Sequence, residues 1–377
     1  MFSIWEQEAL LRFDVIIIGA GIIGLSAAIE LAERKPQLAI AVLERGPFSS
    51  GASTRNAGFA CFGSLTEIVA DIERVGAEGA LAVIDARRAG LELLRQRVGD
   101  ANLQYEPFGG YELLFPEQLP ALDRLDEINT LLEPMFGDPV FRRDDGAIAR
   151  FGFNQGKVAA VLFNPFEGQI HSGAMVAQLM RLATERGVRI ITGATVLSVD
   201  DGPETAAAHC QFGTDHTATL TANELIVCTN AFTPTLLPDV PIVPGRGQVL
   251  VTSPIPELTL RGAFHFDEGF YYFRNLGNRV LFGGGRNLAF QHEETHASAL
   301  NHTIQTRLEE LLRTVILPNQ EFQIEHRWAG IMGFSSTKLP IVQRVGQRIT
   351  VGFGCNGMGV ALGSSIAQQV AEIVMQG

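Results

Sequence analysis

The stretch Asp14-Val15-Ile16-Ile17-Ile18-Gly19-Ala20-Gly21-Ile22-Ile23-Gly24-Leu25-Ser26-Ala27-Ala28-Ile29-Glu30-Leu31-Ala32 decides the fold of this chain. Its β-branched run, Val15 to Ile18, reads as a strand buried on both faces, as parallel strands are. With no polar loop between, it enters Gly19-Ala20-Gly21-Ile22-Ile23-Gly24, and a helical run with apolar spacing follows. The glycines have distinct physical roles. Gly19 permits the tight turn, Gly21 lets the backbone approach a pyrophosphate, and Gly24 lets helix and strand pack closely. The helix N-terminus then offers N–H groups and a positive dipole end to phosphate. A second apolar strand, Ala39 to Leu43, ends in Glu44-Arg45, where an acidic side chain accepts hydrogen bonds from a ribose diol. Strand, glycines, helix and terminal Glu in register predict a dinucleotide-binding βαβ unit, without choosing between nicotinamide and flavin.

Composition narrows the class. A chain of 377 residues exceeds one ordinary core and implies two domains or one elaborated domain. Its 46% apolar and 19% charged residues fit a large packed interior. A net charge of −12 argues against nucleic acid, whose phosphates call for a basic face. No uninterrupted apolar run is long enough to span a membrane. The leader Met1 to Phe13 carries Glu6 and Glu8 instead of a basic segment, so it does not read as a signal peptide; a short amphipathic leader covering a sheet edge is the reading. Cys61, Cys210, Cys228 and Cys355 are scattered without a paired spacing, which excludes a zinc ribbon or redox dithiol and fits a reduced, cytoplasmic protein. His265, His292, His296 and His302 show no metal-ligand spacing, and no metal is expected.

The cofactor is read from the next segment, Ser49-Ser50-Gly51-Ala52-Ser53-Thr54-Arg55-Asn56-Ala57-Gly58. It is polar, small and without apolar period. Its N–H groups, hydroxyls and Arg55 suit a second length of diphosphate, and Gly58 lets a flat ring lie against the chain. Together with the glycine turn, this loop resembles the D-amino-acid oxidase-like superfamily of FAD-dependent oxidoreductases, and GASTRNAG is most similar to the amine-oxidising, γ-glutamylputrescine oxidase-like branch. The resemblance implies FAD.

A coarse pass along the chain expects helices at 65–99, 119–132, 172–186 and 295–312, strands at 188–191 and 196–199, and alternating, Phe- and Tyr-rich antiparallel strands over 243–282. The last unit is strand Ile349 to Phe353, the turn Gly354-Cys355-Asn356-Gly357-Met358-Gly359, and a helix to Val374. The resemblance covers essentially the whole chain. It implies an α/β fold: a Rossmann-like FAD-binding domain of the D-amino-acid oxidase type (1–85, 155–235 and 325–377) interleaved with an antiparallel-sheet substrate domain (86–154 and 236–324).

It also implies further flavin contacts. The terminal turn would face the pyrimidine end of the isoalloxazine through Gly354, Asn356, Gly357 and Met358. Val196 would meet the adenine with its backbone, Thr229, Asn230 and Ala231 would lie near the diphosphate, and Gly330 falls in the substrate-domain exit. Where some relatives attach flavin covalently, this sequence has Thr54-Arg55-Asn56 and Arg327-Trp328-Ala329, so noncovalent FAD is expected. The carboxylate-binding cations of the amino-acid oxidases are replaced by Met332, Cys355 and Gly359. The three lysines, Lys35, Lys157 and Lys338, lie in no motif that supplies one. A substrate carboxylate beside the reacting carbon calls for such a clamp, so an amine without one is favoured.

On the β-rich insert, alternation sends Tyr271 and Tyr272 to opposite faces; one lines the substrate pocket, or both serve the core. Arg286, after three glycines, is either an anion grip for a remote carboxylate or a solvated arginine. His171 is expected to satisfy a backbone carbonyl. The reaction implied by the resemblance is hydride transfer from the carbon beside an amine nitrogen to FAD N5, giving an imine and hydrogen peroxide, with no side-chain base required. Two alternatives stay open: a same-fold dehydrogenase of an amino or hydroxy acid passing electrons to a quinone or carrier, and a flavin-binding subunit without turnover.

Overall fold

The structure is a computed structural model and describes residues 3–337 and 339–376. Lys338, one of the three lysines considered as a clamp, lies outside the described residues, as do Met1, Phe2 and Gly377.

Strand Arg12–Ile18 lies in the middle of an eight-stranded sheet, in the order Ile341–Arg344, Ile349–Phe353, His216–Val227, Arg12–Ile18, Ile40–Glu44, Arg189–Thr192. The inner pairs are parallel, with Ile18 opposite Leu43 on one side and Val227 on the other. Alternation then separates two cores. Val15, Ile17, Val42 and Ile226 meet the helices Ile22–Arg34, Ser172–Glu185 and Gly359–Gln376. Ile16, Ile18, Ala41 and Val227 meet the antiparallel extension Ala194–Asp201 and Ala206–Phe212, which pairs back onto His216–Val227. Ile18, Leu43 and Val227 close the parallel strands at one edge of the sheet, where open α/β sheets bind ligands.

The second eight-stranded sheet runs Ile324–Phe334, Val243–Thr252, Arg279–Gly284, Tyr271–Leu276, Ala263–Phe266, Gly110–Leu114, Ala160–Asn164, Arg142–Arg143. It is antiparallel except where Ala263–Phe266 meets Gly110–Leu114. The phenylalanine-rich alternation builds its core: Phe264, Phe273 and Phe282 are fully buried, and Phe264 stacks on Phe273 with centroids 4.7 Å apart. This is the α/β fold expected, a Rossmann-like sheet interleaved with an antiparallel one.

The two halves exchange segments more finely than the sequence reading placed them. Residues 324–334 pair with Val243–Thr252 in the second sheet, and Ala160–Asn164 also joins it. The helix Leu65–Val98, broken at Gly76 (φ 78°), straddles both: Leu65, Ile68 and Ile84 pack with the second-sheet side, and Leu91, Leu94 and Val98 with the first. Other boundaries moved for local reasons. The helix expected from Thr295 starts at His302, because the Asn301 side chain accepts from Thr303 N and caps it there. The 119–132 helix is a 3-10 turn, Pro116–Arg124, running into Leu125–Phe136. The leader forms a helix, Ile4–Leu10, capped by Ser3 and Glu6. It touches the edge strand through Arg189 and the Ala9 carbonyl, yet none of its residues is buried and Trp5 is 75% exposed.

Candidate flavin and amine site

The glycine turn is shaped by close approaches. Gly19 has φ +107°, and a Cβ on it would stand 2.8 Å from the Cys228 carbonyl oxygen; one on Gly24 would stand 2.0 Å from the Gly19 carbonyl oxygen. Ala20 is fully buried, and its N–H donates to Glu44 Oε2 at 3.2 Å. Glu44 Oε1 accepts from Gly46 N at 2.9 Å, so this carboxylate fastens the turn to its own strand end. Helix Ile22–Arg34 has no capping side chain of its own at Gly21. Instead Ile22 N donates to Ser53 Oγ at 2.9 Å, which brings the second loop against the helix N-terminus.

A cavity runs along this edge. Gly19, Gly21, Ile22, Ile23, Glu44, Arg45, Ser53 and Asn56 line one part of it, Val196, Thr229 and Asn230 another, and Met332, Asn356 and Gly357 the far end. Three chain segments widely separated in sequence are thus brought to one cleft. Thr54, Arg55, Ala57, Gly58, Gly330, Gly354 and Met358 are not on its wall, nor are Ala20 and Gly24; most of them hold the wall in place. Arg55 Nη1 donates to the Ala329 carbonyl, while its own carbonyl accepts from Trp328 Nε1. Gly330 leaves room for the Arg55 side chain, whose Cβ would lie 3.0 Å from an added methyl. Thr54 Oγ1 donates to the Ser49 carbonyl. Asn56 donates to the Ala52 and Ser53 carbonyls and accepts from Gly58 N and Ser172 Oγ. Gly58 (φ +74°) passes under Arg274, whose guanidinium donates to the Gly58 and Ile170 carbonyls. Burial pulls Arg274 down to about 10. At the terminal turn Asn356 adopts φ +51°, accepts from Ser335 N and donates to the Gly354 carbonyl, so the turn is already formed.

Several wall residues carried no sequence signal. Phe232 stacks under the Arg45 guanidinium at 3.9 Å, and both border the cavity; its place right after Thr229-Asn230-Ala231 was the only hint. Met175 sits on a helix at ordinary core spacing, and Thr195 and Leu236 are common strand and turn residues. His171 differs from expectation: its Nδ1 accepts from Ala174 N and caps helix Ser172–Glu185, because a helix start has spare N–H groups, not spare carbonyls.

The flat face of the second sheet closes the far end. Gly245 and Gly247 let neighbouring side chains pack directly on the strand there. A Cβ on Gly247 would stand 2.8 Å from Met332 Cε and 3.7 Å from Tyr272 Oη, and one on Gly245 would press the Phe334 ring and stand 2.9 Å from Arg286 Nη1. Tyr271 turns into the core and stacks on Phe266, whereas Tyr272 lies on the other face, packed edge-on against Phe59 with its hydroxyl near Gly247; neither Tyr272 nor Arg286 is on the cavity wall. Burial pushes the Tyr272 phenol up to about 12, with Arg286 pulling the other way, so it stays a neutral donor. The Arg286 guanidinium lies over the Phe334 ring at 3.9 Å and faces Phe290 at 4.9 Å. Burial lowers its pKa, opposed by Glu294, Glu293 and Tyr272, yet it makes no ion pair among the described residues. Its partners are the two ring faces, which offset part of the water it loses. Cys228 and Cys355, both on the cavity wall, are pushed up to about 12 by burial. Their thiols stay protonated, unsuited to attack on a ring. Lys35 and Lys157 do not line the cavity.

Compared with known proteins, the chain matches the FAD dependent oxidoreductase family over residues 14–373. It belongs to that family. Its cofactor is FAD, and the residues of the cleft fit one: Gly19 and Gly21 line it without side chains, Glu44 stands on its wall, and the N-terminus of helix Ile22–Arg34 opens on the same space. A probable oxidoreductase OrdL of Haemophilus influenzae is similar at 24% identity, covering 96% of this chain and 83% of that one. Among solved structures, L-proline dehydrogenase from P. horikoshii superposes with TM-score 0.77 at 18% identity, over 97% of this chain and 94% of that one. Glycine oxidase from Geobacillus kaustophilus gives 0.75 at 21% identity, over 97% and 95%. These likenesses share the fold of this oxidoreductase. Among its described residues, no helix is long and apolar enough to cross a membrane.

Proposed function

We propose that this oxidoreductase oxidises the C–N bond of an amine whose negative charge lies away from the reacting carbon. The observation that carries the reading is the distribution of cations. Met332 and Cys355 line the far end of the cavity and offer none, while Arg286, beside Gly245 on the strand that pairs with Met332, has no ion pair among the described residues. Bound in the cleft, FAD supplies the two-electron acceptor for C–N oxidation. The chain's own residues bind and orient. Arg286 would grip a distal carboxylate, with Phe290 and Phe334 holding the guanidinium flat, as a bidentate clamp requires. The neutral Tyr272 hydroxyl would donate to a polar group along the substrate, and Met332 would pack against its stem. The relative named glycine oxidase and the neighbours titled L-amino acid deaminase support C–N chemistry in general. An imine product, oxygen as acceptor with hydrogen peroxide formed, and the cofactor roles of the wall residues belong to the same reading. The four free cysteines support a reducing, cytoplasmic setting.

Peroxide assays on glycine, sarcosine and a γ-glutamyl diamine test it, beside anaerobic bleaching of the flavin by each. The conjugate should bleach the flavin and produce peroxide far faster than the small amino acids. Efficient turnover of glycine or sarcosine, with none of the conjugate, would overturn the reading. Bleaching followed by slow reoxidation in air would assign the electrons to another acceptor.

A further inference from the structure

The chain brings three metal-binding side chains together in its interior, away from the amine site. Cys61 follows strand Phe59–Ala60, Glu167 precedes its partner strand Gly168–Gln169, and His265 belongs to strand Ala263–Phe266. They are 5%, 2% and 8% exposed, and one donor atom of each lies within 4.8 Å of the other two. His265 Nε2 is buried without a hydrogen-bond partner. It lies 3.4 Å from Glu167 Oε2 without forming a hydrogen bond to it. That separation is the edge of a tetrahedron built on metal–ligand bonds of roughly 2.1 Å. The other carboxylate oxygen, Oε1, accepts from Phe62 N at 3.1 Å and Gly63 N at 3.4 Å, which fixes the plane of the group. Backbone donors of this kind orient first ligands in metal sites.

We infer that Cys61, Glu167 and His265 hold a divalent zinc-type ion that staples the strand beneath the flavin loop to the substrate sheet. The donor set selects the metal. Thiolate with imidazole and carboxylate suits zinc, and the sulfur disfavours calcium and magnesium. The charges balance: thiolate and carboxylate cancel the ion, so a neutral unit is buried. Binding releases the Cys61 thiol proton and, when His265 is protonated, its ring proton as well. The surroundings are electronegative. Glu112, held by Leu65 N and Thr66, and Glu67, paired with Arg87, lie close by. The rival explanation is a plain imidazolium–carboxylate pair, which needs no cysteine. The His265 ring also packs edge-on against Phe59 at 5.1 Å, and Phe59 against Tyr272, so the staple would stiffen one wall of the substrate space.

The test uses FAD-loaded protein produced with added zinc and, separately, with added cobalt, then passed over a chelating column. Wild type should keep one zinc per FAD by atomic emission, and the cobalt form should show thiolate-to-metal charge-transfer absorption in the near ultraviolet. Cys61→Ser and His265→Gln, checked for FAD content and thermal melting, should each lower retained zinc at least about tenfold. If the variants do not fold, the wild-type measurements decide. Wild type carrying neither zinc nor cobalt overturns the inference, as does zinc that persists in folded variants.

Discussion

Replacing Glu44 by Ala tests the nucleotide end of the site. Without any ligand the carboxylate already accepts from Ala20 N at 3.2 Å and Gly46 N at 2.9 Å. Hydrogen bonds to a charged group contribute about 1.5–3 kcal/mol each, and the longer contact belongs at the low end. Losing both should therefore cost the free protein about 3–4.5 kcal/mol and lower its melting temperature by several degrees. Those bonds exist in bound and free protein alike, so they weaken cofactor binding only as far as the turn drifts. The direct effect comes from the carboxylate's place on the cavity wall, where it would accept the adenosine ribose hydroxyls. Removing that acceptor should lower FAD affinity by about one to two orders of magnitude. Glu44→Gln keeps one acceptor oxygen but turns an amide N–H toward a backbone N–H, so its affinity should fall between wild type and Glu44→Ala. Titration of deflavinated protein with FAD, followed by fluorescence quenching, reads the affinity, and melting of the flavin-free protein reads the stability. A lowered melting point with an unchanged FAD dissociation constant would refute the ribose role and leave Glu44 as a fastener of the turn.

Acid precipitation should release yellow FAD into the supernatant, since the wall thiols Cys228 and Cys355 stay protonated; flavin remaining with the pellet would refute noncovalent binding. Arg286→Ala should raise KM for an amine with a distal carboxylate by about 10-fold or more while kcat changes less; steady-state kinetics that show a pure kcat loss would remove Arg286 from the grip. Gly58→Ala should cost FAD retention and several degrees of melting temperature, because its Cβ would stand 2.3 Å from the Ile170 carbonyl oxygen at φ +74°; a variant that melts and binds like wild type would show that this crossing has slack. Glu293 is fully buried, and although burial alone would raise its pKa, hydrogen bonds from Arg246, Gln248 and Asn301 outweigh that and hold it below the ordinary value. A depressed folded-state pKa contributes stability that is present above the unfolded value of about 4.3 and lost as pH falls through the folded one. Denaturant titrations should show that acid limb in wild type and a flatter one in Glu293→Gln, and parallel limbs would refute the assignment.

Local signals carried the nucleotide half. Gly19 and Gly24 could be read from one short stretch because the close approaches they permit occur between residues that are neighbours in sequence or one strand away. The alternation of Phe and Tyr over 243–282 likewise announced an antiparallel sheet, since a period of two needs only the strand itself. The site was less legible. Which of Tyr271 and Tyr272 turns into the core depends on which side of the sheet Phe266 and Phe59 occupy, and pairing sets that. Phe232 beneath Arg45 and Met175 on its helix gave nothing to find, because an aromatic or methionine at core spacing reads the same whether a cofactor or another side chain covers it.

The sequence by itself determined the fold class, the family and the cofactor, because strand, glycine turn, helix and loop are contiguous, and each residue's role follows from local backbone geometry. It also fixed which cations are missing from the terminal turn. Tertiary structure alone decided where Arg286 sits, since pairing and packing lay its guanidinium on Phe290 and Phe334 with no ion pair among the described residues. It alone assembled Cys61, Glu167 and His265, three residues whose spacing along the chain means nothing. A spacing rule sees ligands that one turn or one hairpin holds together; these three meet because two sheets pack against each other, and packing between distant segments leaves no trace in the order of the residues.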